Sequence, residues 1–433
     1  MDIKRDEYLN RLIVRKHNGL IKVITGIRRS GKSHLMNVIF YDHLLSEGIK
    51  EDHIIKFAFD SAEDLIKIGE NPLDFDNSKE EKKVDPKKFL DWLLPQLVDK
   101  DIYYILLDEV QLLGAFESVL NGFLRKENLD IYVTGSNSKF LSKDVLTEFE
   151  DRGDEVHILP LSFSEYYDFV GGSKDEAYDD YSVYGGLPQT VLKKTEEQKT
   201  SYLIGELKKL YIRDLIRRHN LAANSPIGEV LDVIASGISS LTNPKKIADT
   251  FASVKQERIG DATVDRYIDH MEDAFIISRA KRYDVKGRKY IGTPYKIYFE
   301  DIGLRNARLN FRQIEQTHIM ENIIYNELRY RGYQIDVGVV ESREKDDKGA
   351  DIRVQREIDF IATLGSKKYY IQSAYEIPNT AKYEQETKPF DGVPDSFKKI
   401  LIVDKSMKPR RDEKGYVMMG VKEFLLDKYS LDA

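Results

Sequence analysis

The sequence predicts an α/β fold built on a parallel sheet, and three observations predict it. Apolar runs in "LIKVITG", "IYYILLDEV" and "IYVTGS" have the composition of strands buried on both faces. Helical periodicity follows the first of them: Leu35, Met36, Ile39, Phe40 and Leu44 recur along "GKSHLMNVIFYDHLLSEG". Between that strand and that helix stands "VITGIRRSGKSHL", a glycine-containing turn joining the two.

Composition bounds the rest. A chain of 433 residues is too long for one ordinary domain and suggests about three. Hydrophobic residues at 41% and aromatics at 11% exceed a disordered composition, so each domain has apolar surface to bury. A formal charge of −7, from 67 basic and 74 acidic residues, excludes a global basic field but leaves room for local basic patches. Cysteine is absent, which excludes disulfides, thiol catalysis and Cys-based zinc sites. The start "MDIKRDEYLNRL" has no apolar signal core, and no run approaches the ~18 apolar residues of a membrane span. The expectation is a cytoplasmic protein.

Taken in order, Gly26-x4-Gly31-Lys32-Ser33 completes a P-loop pattern. Its glycines let backbone N–H groups turn onto phosphate oxygens, Lys32 would reach the β and γ phosphates, and the Ser33 hydroxyl would ligate Mg²⁺. The candidate nucleotide contacts are Gly26, Arg28, Arg29, Ser30, Gly31, Lys32, Ser33 and His34. Arg28 and Arg29 are open between the γ-phosphate, a neighbouring subunit and water. "IIKFAF" reads as a second strand, and "GENPLDFDNSKEEKKVDPKKF" as a charged surface loop. "FLDWLLPQLV" is helical. "IYYILL" then ends in Asp108-Glu109, which puts a carboxylate for Mg²⁺ at the edge of a buried strand and a second, Glu109, beside it to polarise water. The next strand ends in "TGSNSKF", where Ser136 or Asn137 would hold the water or sense the γ-phosphate, unless a serine there is a helix N-cap. No Asn-Lys-x-Asp element follows to read guanine, so ATP is the expected nucleotide.

The order "IKRDEYLNRLI", "VITGIRRSGKSHL", "YYILLDEVQ", "YVTGSNSKFLS", "RGDEVHILPLSFSEYYDF" and "YGGLP" resembles the prokaryotic AAA+ ATPases that carry a C-terminal uncharacterised, restriction-endonuclease-like domain. The resemblance is densest over residues 1 to 190. It implies that Arg152, eight positions before Pro160, is an arginine finger acting across a subunit boundary; the alternative is a surface salt bridge within "EDRGDE". It also implies that "YGGLP" packs a lid against adenine through Pro188, although Gly and Pro also make an everyday helix entry.

Further on, "SYLIGELKKLYIRDLIRRHNL" shows one apolar face, with Lys208, Lys209, Arg213, Arg217 and Arg218 elsewhere. "NPKKIADTF", "GDATVDRYIDHMEDAFII" and "SRAKRYDVKGRKYI" read as helix, turn, helix and wing. The second helix would offer Thr263, Arg266 and Tyr267 to DNA and the wing Lys286, Arg288 and Lys289 to phosphate, but the helix also carries Asp261, Asp265, Asp269, Glu272 and Asp273. The last third pairs a helix bearing Glu321 with a hairpin around "LGSKK", resembling a PD-(D/E)xK nuclease core. Asp359 takes the first acid position, while Gln372 and Ala374 stand at the second acid and Lys positions, so the hydrolytic set is incomplete. Glu321, Asp359 and Glu376 could bind a metal in another arrangement, but no spacing argues for it.

The expected organisation is therefore an AAA+ core over 1–172, a helical lid over 173–235, a winged-helix-like module over 236–300 and a degenerate nuclease-like domain over 301–433. The expected activity is ATP hydrolysis with Mg²⁺, with Lys32, Glu109, Asn137 and Arg152 catalytic and Ser33 and Asp108 on the metal. It would drive a switch or motor that engages DNA, a protein partner or further copies of itself. The alternatives are an ATP-dependent nuclease and a nucleotide-binding scaffold without turnover.

Overall fold

The computed structural model describes residues 3–76, 82–135, 152–207, 212, 215–216, 219, 221–222, 224–345 and 351–432. The chain divides into two units: Met1–Ile158 with Asp273–Phe275, and Leu159–Glu272 with Ile276–Ala433.

The first unit is a five-stranded parallel sheet in the order β2-β3-β4-β1-β5, made of β1 (Ile21–Thr25), β2 (Ile54–Ala58), β3 (Tyr103–Asp108), β4 (Leu129–Thr134) and β5 (Gly153–His157). Every residue of β1 and β3 is buried, as expected of central strands covered on both faces. Val23, Phe57, Leu107 and Val133 join Phe89 and Leu120 from flanking helices in one core. Lys22, on the opposite face of β1 from Val23, is fully buried, its ammonium paired with Asp130 and 4.8 Å from the Tyr132 ring centre. Burial lowers its pKa, and the Asp130 carboxylate opposes that.

One expectation is corrected here. The stretch read as a surface loop contains the short helix Leu73–Asp76, and the helix Pro86–Leu93 begins inside it. Asp85 caps that helix by accepting from the Lys87 N–H, and Pro86 sits at its first position, where a missing N–H costs nothing.

The second unit holds an eight-stranded mixed sheet in the order β12-β13-β11-β10-β9-β8-β6-β7. Its strands are β6 (Ile277–Asp284), β7 (Lys289–Phe299), β8 (Gln334–Lys345), β9 (Asp351–Leu364), β10 (Lys367–Ala374), β11 (Lys398–Val403), β12 (Arg410–Arg411) and β13 (Val417–Gly420). The helices Pro244–Lys255 and Asp261–Asp273 precede β6, so helix, turn, helix and two strands are present in order. The two strands read as a wing also join the C-terminal sheet: β6 pairs with β8 in parallel, Arg282 opposite Val337. Strands from both sides of residue 300 share this one sheet, and the two units part after Ile158. Hydrogen bonds between strands distant in sequence decided this, and local periodicity carries no record of them.

Candidate functional site

Strand direction in the first unit decides where its chemistry collects. Because β1, β3 and β4 run parallel, with Ile24 opposite Thr134 and Leu107 opposite Val133, their carboxyl ends form one edge. Ligands of open α/β sheets gather at that edge.

The turn leaving β1 needs its glycines. Gly26 has φ +136°, and a Cβ there would stand 2.1 Å from the Ile158 carbonyl oxygen. Gly31, at φ +98°, lies directly ahead of the helix that opens at Lys32 and continues through a π-helical segment, Leu35–Phe40, into Tyr41–Ser46. The Lys32 ammonium, buried in the loop, donates to the carbonyls of Gly26 at 2.9 Å and Ile27 at 3.1 Å. Ser30 is fully buried and its carbonyl accepts from Arg5 at 3.4 Å, while Arg29, Ser33 and His34 are exposed.

Asp108 is the hub. Its carboxylate accepts from the Thr134 hydroxyl and, at 3.2 Å, from the Asn37 amide. Burial raises its pKa, opposed by the Thr134 and Ser33 hydrogen bonds; Glu109 raises it further and Lys32 lowers it. Glu109 holds a left-handed backbone, φ +51° and ψ +45°, with its N–H on Thr134 Oγ1 at 3.1 Å and its carboxylate accepting from the Gln111 amide. Asp60, just past β2, has its pKa raised by burial and then by Glu109 and Asp108, while Arg28 lowers it. Arg28, left open by the sequence, therefore lies in the field of the acids at this edge. Thr134, Asn37, Asp60, Gln111 and Arg5 were missed in the sequence. Thr134 had a signal, since it ends an apolar strand as Asp108 does, two residues before Ser136.

Other expected residues are placed less centrally. Ser136 and Asn137 lie outside the described residues, as do Lys208, Lys209, Arg213, Arg217 and Arg218. Arg152 is exposed at the amino end of β5: its carbonyl accepts from the Ile21 N–H and its guanidinium reaches Asn121 at 3.4 Å. Ile21 opens β1 and Gly26 follows its end, so Arg152 and the loop occupy opposite edges, roughly 16 Å apart at 3.3 Å per residue.

In the second unit, Pro188 opens the helix Pro188–Val191. The preceding glycines close on Asp301: its carboxylate accepts from the Gly186 N–H at 2.8 Å, and a Cβ on Gly185 would lie 2.4 Å from it. Burial pushes the Asp301 carboxyl up to about 6, against four backbone N–H bonds that lower it. The "YGGLP" glycines thus have a structural duty within their own unit.

The nuclease-like positions meet a lysine that the sequence did not point to. Lys296, on β7 and 3% exposed, puts its ammonium 2.8 Å from Glu321, 2.7 Å from Glu357 and 3.0 Å from Asp359. Tyr298 donates to Glu321 at 2.8 Å, and Gln372 accepts from the Asp359 N–H at 3.3 Å. Ala374 packs with Leu401 and Val403. Glu376 is exposed, and Glu357 stands in the cluster instead. Burial pushes the Glu321 carboxyl up to about 8, opposed by Lys296.

Fold and loop geometry together define the first unit as a P-loop nucleotide-binding domain of the AAA+ type. Residues 18–167 match the family model of an AAA domain, and residues 175–315 that of a domain of unknown function, DUF8612. An uncharacterised protein of Haemophilus influenzae is 33% identical over 410 residues, covering 93% of this chain and 94% of its own length. The chain belongs to the family of that protein. An uncharacterised protein of Methanocaldococcus jannaschii, MJ1544, is 25% identical over 387 residues, covering 86% of this chain and 78% of its own. Among solved structures, the Walker-type ATPase PABY2304 of Pyrococcus abyssi aligns over 71% of this chain and 96% of its own, at 16% identity and a TM-score of 0.48. No described helix is long and apolar enough to cross a membrane.

Proposed function

We propose that the chain hydrolyses ATP and uses the cycle to switch how its second unit engages a partner, DNA or protein. One observation carries the hydrolytic reading: the buried Asp108 carboxylate, held by the Thr134 hydroxyl and the Asn37 amide and close enough to the Ser33 hydroxyl to be lowered by it, stands at the sheet edge that also bears Lys32 and Glu109. A hydroxyl and a carboxylate already side by side suit a hard divalent cation, and Mg²⁺ held there would neutralise phosphate oxygens. Gly26, Gly31 and the amides between them cradle the phosphates, with Arg28, Arg29, Ser30 and His34 along the same turn. Lys32 exchanges its two backbone carbonyls for phosphate oxygens. Glu109 takes the proton of the attacking water, and Thr134 fixes Glu109 through its backbone while holding Asp108 through its hydroxyl. Asn137 is the proposed sensor. Arg152, on the far edge from its own loop, would serve a nucleotide bound by another subunit, so the active form is an oligomer. Pro188 remains the proposed adenine contact of the lid.

Substitution separates binding from turnover. Lys32→Ala should lose binding of a fluorescent ATP analogue, and Glu109→Gln should keep binding while hydrolysis falls roughly 10²–10⁴-fold. An unchanged rate in Lys32→Ala would sink the enzymatic reading. The buried Lys296 cluster supports a second unit that does not cut: supercoiled plasmid with Mg²⁺ or Mn²⁺ should stay intact, and nicking abolished by Asp359→Ala would reverse that conclusion.

A further inference from the structure

The helix Asp261–Asp273 is closed by a residue that its backbone does not call for. Past the last turn the Ile276 N–H bonds the Met271 carbonyl at 2.9 Å, the longer bond of a Schellman cap. That cap puts Phe275 in the left-handed region, at φ +56°. Glycine is the usual residue there, because a Cβ crowds the backbone. A large ring held against that tendency marks a side chain kept for what it touches.

Its contact lies beside the phosphate loop. Asp273–Phe275 group with the first unit, and there the Phe275 ring stands 4.8 Å from the His157 ring, the two planes 53° apart. His157 ends β5 opposite Thr25, the last residue of β1 before Gly26. The Thr25 hydroxyl donates to Glu155 at 2.6 Å and lies 3.1 Å from His157 Nδ1, which fixes the imidazole to the strand that feeds the loop. Ile158, next along the chain, presents the carbonyl that a side chain on Gly26 would strike. Both rings are half-buried. Sheet order says which end of a nucleotide they would meet. β5 flanks β1 on the side away from β4 and β3. Asp108 ends β3 and Glu109 follows it, so the metal and the γ-phosphate of ATP belong on that side. The nucleoside then leaves the loop on the other side, over the end of β5. A purine offers two uncharged π faces, and aromatic rings are what it stacks on.

We propose that Phe275 and His157 form the shelf that carries the adenine ring, with Phe275 as the stacking partner and His157 as its support. The inference rests on the ATP reading and adds to it residues that hold the base. Neither residue has a part in holding phosphate, so the two readings can be separated.

The test compares Mg²⁺-ADP with Mg²⁺-pyrophosphate, which lacks the nucleoside, by calorimetric titration of the full chain. The wild type should bind ADP about tenfold or more tighter than pyrophosphate. Phe275→Gly should lose about fivefold or more in ADP affinity, the effect of one lost base stack, and stay within about twofold for pyrophosphate. Glycine suits the left-handed backbone, so this variant should melt no lower than the wild type, and Phe275→Asn, the other residue found at such caps, should reproduce its binding. Phe275→Trp should keep ADP affinity, because stacking needs an aromatic ring of either kind. Unchanged ADP affinity in Phe275→Gly, or ADP and pyrophosphate affinities that fall together, would overturn the shelf. A wild type that binds pyrophosphate as tightly as ADP would also overturn it while leaving the phosphate site standing. A wild type that binds neither would remove the ATP reading and this one with it.

Discussion

Two regions of the molecule bury carboxylates and satisfy them in opposite ways. Around Asp108 the hydrogen-bond partners are neutral donors, Thr134 and Asn37, while the ammonium of Lys32 rests on backbone carbonyls. Around Asp359 the partner is a lysine in direct contact with three carboxylates at once. The first arrangement leaves negative charge and a releasable cation for a ligand to use. The second supplies its own counter-ion from β7. A buried acid therefore indicates a binding site only where its charge is not already answered by the chain.

The largest test of this contrast is Lys296→Met. It leaves Glu321, Glu357 and Asp359 without their cation, and it should cost roughly 3–5 kcal/mol in urea unfolding. Adding Asp359→Asn to that variant should restore part of the loss, whereas a loss under about 1 kcal/mol would mean that Lys296 is not the counter-ion of these three carboxylates. A smaller effect concerns Asp301, a buried acid held by amides alone. Its folded value of about 6 lies above the ordinary 3.8, so the folded state keeps the proton after the unfolded chain has released it. Its contribution to stability should therefore fall as pH rises from about 4 to about 6, by on the order of 2–3 kcal/mol. Asp301→Asn should flatten that part of the pH profile, and an unaltered profile would refute the assignment.

At the phosphate site, Thr134→Val removes a donor from Asp108 and an acceptor from the Glu109 N–H. A loss of about 1.5–3 kcal/mol is expected, read as a tenfold or greater rise in the Mg²⁺ needed for half-maximal hydrolysis. The smallest effect belongs to the Arg15–Asp154 pair, 2.9 Å apart and partly open to solvent. Asp154→Ala should change stability by less than about 1 kcal/mol, since exposed pairs are screened.

Legibility differed between the two regions for a physical reason. Gly26, Gly31, Lys32 and Ser33 are contiguous, and Asp108 and Thr134 each end an apolar strand, so strand direction alone brings them to one edge. The loop and Asp108-Glu109 were legible, and Thr134 was legible in principle. Lys296, Glu321, Glu357 and Asp359 come from β7, a helix and β9, and no spacing along the chain relates a lysine at 296 to an acid at 359. The wider pairing of the wing strands was hidden for the same reason: β6 and β7 form the expected hairpin, and nothing local records that β6 also pairs with β8.

The sequence by itself determined what backbone chemistry and periodicity dictate: the parallel α/β sheet, the glycine turn whose conformation excludes a side chain, and acids at strand ends. Only the tertiary structure decided which charges are answered. It set Thr134 and Asn37 on Asp108 and Lys296 among three carboxylates, turned Gly185 and Gly186 onto Asp301, and put Arg152 on the sheet edge opposite its own phosphate loop. Pairing between residues far apart in sequence is set by sheet order and burial, and those are properties of the packed chain rather than of any stretch of it.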